Sequence, residues 1–275
     1  MTVFTTLIEN SPGEHHGLKT EHGISFHIRK DGHSFLFDTG QSGAFLHNAA
    51  AMRIDLSTID SVVLSHGHYD HTGGFRSLCG IAPDLQLHVG AGFFEEKYAV
   101  RGGAHDFLGN DFDETFLRDR KISYRSVTEE TEEIHSGVFI LSSFPRLHPD
   151  EIINPRFLLR KDQAFVPDRF DDEIMLAVDT PRGLVVMLGC SHPGMKNMLD
   201  AAEKRLGRPL YAVLGGTHLV ESKGQGLESS LSYLNRNDIG VVGVSHCTGK
   251  EAIGRLQAEN SGFFHNVTGS SLFVE

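Results

Sequence analysis

Short apolar runs, each closed by glycine and polar residues, recur along this chain, and their period sets the elements expected. Thr2 to Glu9, Gly23 to Arg29 and Ser34 to Phe37 are rich in β-branched and aromatic residues and read as strands. The last two meet at Lys30-Asp31-Gly32, where Asp-Gly is a strong hairpin signal. Ala44 to Met52 carries small and apolar residues on one helical face, and Ile59 to Leu64 is a β-branched run. Gly74 to Leu78 begins a helix, and Leu85 to Val89 reads as a short strand. Further on, Gly137 to Ser142, Ile174 to Val178 and Gly183 to Leu188 read as strands, the last two paired across Asp179-Thr180-Pro181-Arg182. Strand and helix then alternate. Met195 to Leu206, Leu227 to Asn235 and Lys250 to Ala258 are helical, Tyr211 to Leu214 and Gly240 to Val244 are strands, and Leu272 to Val274 is a final short strand.

Residues 91–135 show no clear period and are expected to be irregular, an excursion of the length that often forms a lid over a cleft. Within them, Glu129-Glu130-Thr131-Glu132-Glu133 reads as a solvated face. A polar stretch with no assigned element runs from Phe144-Pro145-Arg146 to Glu173. No repeat, linker or composition break divides the chain, so residues 1–275 are expected to form one domain.

Composition narrows the functions. At 39% apolar and 22% charged the chain is ordinary for a globular protein. A net charge of −11 argues against nucleic acid or an anionic membrane as partner. It leaves room for a small anionic substrate, because metals and histidines can make a cleft locally positive. Cys79, Cys190 and Cys247 are widely spaced, so no disulfide framework is expected. The absence of an apolar targeting segment points to a cytoplasmic protein.

The densest chemistry lies in Ser65-His66-Gly67-His68-Tyr69-Asp70-His71-Thr72-Gly73-Gly74, directly after the Ile59 to Leu64 run. Imidazole and carboxylate are ligands for zinc, iron and manganese. On an extended segment His66 and His68 point the same way and can share one ion. Asp70 and His71 follow where the chain turns and can reach a second ion beside it. The same arrangement of strand, glycine-containing turn bearing histidine, and helix recurs at His192, His218 and His246. Loops leaving the carboxyl ends of strands gather in one crevice. His192 and His246 are therefore the candidates to complete the ligand sets. Cys190 could bridge or merely pack close by, and His218 could be a ligand, a proton-transfer group or a substrate contact. Asp38 could hold a ligand imidazole or simply cap its turn.

The H-x-H-x-D-H motif, with the later loops, resembles the metallo-β-lactamase superfamily. Glu21-His22-Gly23, Phe37-Asp38-Thr39-Gly40, Pro145-Arg146, Gly189-Cys190-Ser191-His192-Pro193-Gly194, Gly215-Gly216-Thr217-His218 and His246-Cys247-Thr248-Gly249 are similar to one subgroup of it. That subgroup is named for dihydropterin-ribofuranosylaminobenzene 5'-phosphate synthase. The resemblance implies an α+β fold, a four-layer αββα sandwich of two mixed sheets with helices outside. It implies one or two divalent transition metals, zinc first and iron or manganese as alternatives. His66 and His68 match one metal site, Asp70 and His71 the other, and His246 the last histidine of the superfamily. Gly189-Cys190 stands where the superfamily usually has a bridging Gly-Asp, and a usual histidine is missing near Phe144-Pro145-Arg146, so His192 is expected to replace it. His22, Arg146 and His218 become candidate substrate contacts, with Asp70 and His218 as candidate catalytic groups. The subgroup's reaction joins an aminobenzene ribosyl phosphate to a dihydropterin diphosphate. The competing expectation is a metal-dependent hydrolase of a phosphoester, lactone or thioester using activated water. An oxygen-reducing di-iron protein and a non-catalytic binding module are weaker expectations.

Overall fold

Every residue of Gly183–Leu188 is buried, and its alternation shows why. Val185 and Met187 point into a core between two sheets, while Leu184, Val186 and Leu188 point into a core under helices. Met175–Thr180 behaves the same way, with Leu176 and Val178 inward and Met175 and Ala177 outward. Strands covered on both faces have no reason to alternate apolar with polar residues. The computed structural model describes all 275 residues.

In chain order the strands are β1 (Thr2–Ile8), β2 (Ser25–Lys30), β3 (His33–Phe37), β4 (Ser61–Leu64), β5 (Gln86–Gly90), β6 (Glu96–Arg101), β7 (Ala104–Phe107), β8 (Ser123–Val127) and β9 (Thr131–His135). They continue as β10 (Val138–Leu141), β11 (Phe157–Lys161), β12 (Ala164–Pro167), β13 (Met175–Thr180), β14 (Gly183–Leu188), β15 (Leu210–Gly216), β16 (Val241–Ser245) and β17 (Ser271–Val274). The helices are α1 (Ala44–Ala51), α2 (Tyr69–Thr72), α3 (Phe75–Leu78), α4 (Glu114–Asp119), α5 (Met195–Leu206), α6 (Gly224–Leu234) and α7 (Lys250–Glu259).

A seven-stranded sheet has the order β17-β1-β2-β3-β4-β5-β8, and a six-stranded sheet the order β16-β15-β14-β13-β10-β9. Both are mixed: β3-β4-β5-β8 and β14-β15-β16 are parallel, and the remaining pairs are antiparallel. Phe4, Phe26, Phe35 and Val63 of the first sheet meet Ile140, Val178, Met187 and Leu214 of the second in the central core. Phe45 of α1, Phe75 and Leu78 of α3 and Leu117 of α4 cover the outside of the first sheet. Met198 of α5, Leu231 of α6 and Leu256 of α7 cover the second. This is the αββα sandwich. No helix is long and apolar enough to cross a membrane.

The expected irregularity of residues 91–135 is corrected by the structure. They contain β6, β7, α4, β8 and β9, and the acidic tract runs into β9, a sheet edge. The polar stretch before Glu173 also holds β11 and β12. Together with β6 and β7 these form a third sheet, of order β12-β11-β6-β7. Its side chains are largely exposed on β7 and β12, so no alternation marked it in the sequence. One buried anchor fastens it. Lys97 on β6 donates to Asp168 at 2.8 Å and to Asp172 at 2.9 Å, all three nearly inaccessible. The other oxygen of Asp172 accepts the Gly67 N–H at 2.9 Å, tying this sheet to the loop after β4.

Candidate metal centre

The loops leaving β1, β3, β4, β14, β15 and β16 converge at one edge of the sandwich. The backbone at this edge is unusual: Asp38, Ser191, His218 and His246 all have φ between 53° and 63°. Non-glycine residues in that region cost of order 1 kcal/mol or more and concentrate at functional sites.

Four ligand groupings lie there, each with donor atoms mutually within 4.8 Å: His66/His68/His192, His66/His71/Cys190, His22/Asp70/His246 and Cys190/His218/Cys247. His66 Nε2 is 3.1 Å from His68 Nδ1, and Cys190 Sγ is 3.3 Å from His71 Nε2. Asp70 Oδ2 is the hub of the third set, 3.2 Å from His22 Nε2, 3.3 Å from His246 Nε2 and 3.7 Å from His71 Nε2. His71 thus stands between two sets, and His22 joins the ligand cluster itself. The centre fits metal ions on its own chemistry. The Nε2 atoms of His68 and His192 are buried with no hydrogen-bond partner, a costly state for a ring nitrogen unless an ion takes its lone pair.

The surrounding residues orient this set. Asp38 accepts from His71 Nδ1 at 2.7 Å and from the Ser65 N–H at 2.7 Å and hydroxyl at 2.8 Å. Burial alone would pull His71 down, but the Asp38 and Asp70 carboxylates override it and lift it to about 9. Such a carboxylate–imidazole pair fixes the ring and turns Nε2 toward the cluster of candidate ligands. Burial drives His66, His68 and His192 well below the usual histidine range, leaving neutral imidazoles suited to ligation. Burial opposes ionisation of Asp70, yet His71, His22 and His246 hold it well below the ordinary carboxylate range.

Several supporting residues carried no sequence signal. Asn10 Oδ1 is 2.9 Å from His246 Nδ1 and its Nδ2 is 3.3 Å from His22 Nδ1, so one amide positions both rings. Glu9 accepts the His246 N–H at 2.6 Å. Buried Glu173 accepts the N–H groups of Cys190, Ser191 and His192, and burial outweighs those donors to push it up to about 8. Phe170 packs on His192, and Phe157 of β11 contacts His68, His192 and His218.

A cavity of about 440 Å³ opens onto the centre, lined by His22, His68, Asp70, Cys190, His192, His218 and His246. Its cations are Arg101, Arg156 and Lys250. Arg146, a candidate substrate contact from the sequence, does not line this cavity; its guanidinium donates to the Arg169 carbonyl at 2.6 Å. Ten positions on, Arg156 does, resting 4.1 Å above the Phe157 ring and paired with Glu221 at 2.7 Å. Glu221 also faces His218 Nε2 at 3.2 Å. Burial lowers His218, but Cys247 and Glu221 beside it raise it to about 10.

Comparison with known proteins gives the family and the fold. The chain is 30% identical to the 7,8-dihydropterin-6-methyl-4-(beta-D-ribofuranosyl)-aminobenzene-5'-phosphate synthase of Methanocaldococcus jannaschii, over 90% of this chain and 87% of that one. An uncharacterised protein of the same organism is 28% identical over 90% of this chain and 91% of its own length. The crystal structure of Tm1679, described as a metal-dependent hydrolase of the beta-lactamase superfamily, superposes with a TM-score of 0.87 at 29% identity, covering both chains fully. A diphosphatase of the PhnP family shares the fold at a TM-score of 0.57 and 16% identity, over 100% of this chain and 98% of that one. The metallo-beta-lactamase superfamily profile matches residues 22–205, and the chain belongs to that superfamily.

Proposed function

We propose that this protein is a cytoplasmic, single-domain metal-dependent enzyme acting on a small anionic substrate, phosphorylated or pterin-like. The carrying observation is that the cavity over the ligand cluster gathers Arg101, Arg156 and Lys250 in a chain whose net charge is −11. The M. jannaschii synthase, whose name specifies a dihydropterin and a 5'-phosphate, supports this substrate class. The three cysteines are all free, in keeping with a reducing compartment.

His66, His68 and His192 would hold one ion, and Asp70, His71 and His246, with His22 beside them, another. Cys190 adjoins both. Zinc suits the donors best, with iron or manganese as alternatives. A divalent ion here supplies Lewis-acid stabilisation of negative charge developing on the substrate. The chain's own residues do the rest. Asp38 and Asn10 fix the rings of His71 and His246. Phe157 and Phe170 line the histidines with apolar surface and keep water from them. Arg156 offers a planar cation to a phosphate, and His218, charged against Glu221, donates a proton to the leaving group. The excursion at 91–135 acts as the lid: Arg101 and Leu108 from it line the cavity, and β11 and β12 pair onto its β6–β7 hairpin.

A hydrolytic reading is favoured by one observation, the full-length likeness to the hydrolase Tm1679. In it Asp70 orients an attacking water, and the substrate is a phosphoester, lactone or thioester.

Metal analysis by plasma mass spectrometry on anaerobically purified protein tests the centre. We expect one or two transition-metal ions per chain, fewer in His66→Ala, His192→Ala and His246→Ala; a metal-free wild type overturns the enzyme reading. Incubation with a dihydropterin diphosphate and an aminobenzene ribosyl phosphate, against a panel of phosphodiesters, then separates condensation from hydrolysis. Turnover of the panel without a condensation product decides for hydrolysis.

A further inference from the structure

Cys247 holds neither ion nor substrate in the chemistry above. It follows His246 on the turn after β16, is 8% exposed, and lines the cavity. Its Sγ, Cys190 Sγ and a ring nitrogen of His218 all lie within 4.8 Å of one another. The three residues come from the turns after β14, β15 and β16, which are adjacent parallel strands with Leu188 opposite Gly215 and Gly216 opposite Ser245. The pairing of the sheet therefore fixes their spacing.

Local structure prepares His218 for a ligand. Its backbone is left-handed at φ 53°, and its N–H donates to Cys247 Sγ at 3.3 Å. Glu221 Oε2 stands 3.2 Å from Nε2, while Nδ1 is buried with no hydrogen-bond partner. A carboxylate behind one ring nitrogen and a free second nitrogen is the arrangement that orients a ligating imidazole. Two sulfurs and one nitrogen, with room for a fourth donor from the cavity, form a set for a soft or borderline ion. Hard ions such as magnesium, which require oxygen, find none in it.

We propose that Cys190, His218 and Cys247 form a further cation site, rich in sulfur, for a d10 ion of the zinc class. It shares Cys190 with the His66/His71 grouping. Binding converts both thiols to thiolates and releases their protons to solvent. A bound ion also withdraws His218 from proton transfer, but the site stands whether or not His218 has that role.

The test uses the full chain, stripped by chelator, reduced, and titrated with Cd2+ under anaerobic conditions. Thiolate-to-cadmium charge-transfer absorption in the ultraviolet should grow on titration. It should fall by about half in Cys247→Ser, with loss of one bound Cd2+ per chain by equilibrium dialysis. Cys79→Ala, whose sulfur lies in the core between the first sheet and its helices, should match wild type. An unchanged band and unchanged stoichiometry in Cys247→Ser overturn the proposal. If that variant does not fold, 113Cd NMR on wild type decides. A resonance in the range of two-sulfur coordination supports the site, and resonances confined to nitrogen, oxygen or one-sulfur coordination overturn it.

Discussion

Phe170 lies flat against His192, with ring centroids 3.7 Å apart and planes 15° from parallel. The His192 side chain is thereby held in one orientation by an apolar face, with its free Nε2 near His66 and His68. Phe170→Leu keeps most of the volume and removes the flat contact. We expect little change in thermal stability, under ~1.5 kcal/mol, but metal affinity lower by roughly tenfold, as for other supporting residues of metal ligands. Chelator competition against wild type measures it.

Asp38 is the residue on which His71 depends. Its backbone is left-handed, at φ 58°, a conformation asparagine tolerates well. Asp38→Asn therefore isolates the loss of charge. One amide oxygen can still accept from Ser65, but the negative partner of His71 Nδ1 is gone. Metal occupancy should drop, with affinity weaker by about 10- to 100-fold, while far-ultraviolet circular dichroism stays that of wild type. Unchanged affinity would show that Asp38 merely caps its turn.

Lys97 neutralises two buried carboxylates, so its removal should cost more than a surface pair. Lys97→Met leaves Asp168 and Asp172 without their cation, and breaking such a buried set costs about 3–5 kcal/mol. The urea midpoint should fall accordingly. Because Asp172 also holds the Gly67 N–H, metal affinity should fall with it. The triple variant with Asp168→Asn and Asp172→Asn should recover part of the stability.

Two histidines far from the centre set a pH limit. Burial, with a smaller push from Arg29, lowers His27 from 6.5 to about 4; burial, with Arg125, does the same to His88. Both are neutral when folded and more basic when unfolded. Their contribution is complete above about 6.5 and is lost as pH falls toward 4, on the order of 3 kcal/mol each. The urea midpoint should decline across that window, and less steeply in a His27→Gln/His88→Gln variant.

The legible parts of the sequence were those where one short segment holds the signal. Asp31 and Gly32 both have positive φ and close the β2–β3 hairpin that Asp-Gly implied. The two-faced strands β13 and β14 stood out as apolar runs. The histidine-bearing turns were visible too, because each follows a buried strand, and the structure brings them to one edge. What stayed hidden depends on pairing between distant segments. The third sheet joins β6 to β11, some sixty residues apart, and its exposed strands lack alternation. Arg146 and Arg156 are the same residue type in the same polar stretch, and only the path of the chain puts one in the cavity. Asn10 is an ordinary loop residue until His22 and His246 arrive on either side of it.

The bond from the His246 N–H to the Glu9 carboxylate spans 237 positions of sequence. Synthesis makes Glu9, Asn10, His22 and Asp70 early and His246 near the end. A nascent chain therefore carries the opening half of the His22/Asp70/His246 set for most of its time on the ribosome with nothing to close it. That set is complete only once the carboxyl-terminal loops have been made and have folded back on the first sheet, long after the histidine-rich motif that announces it.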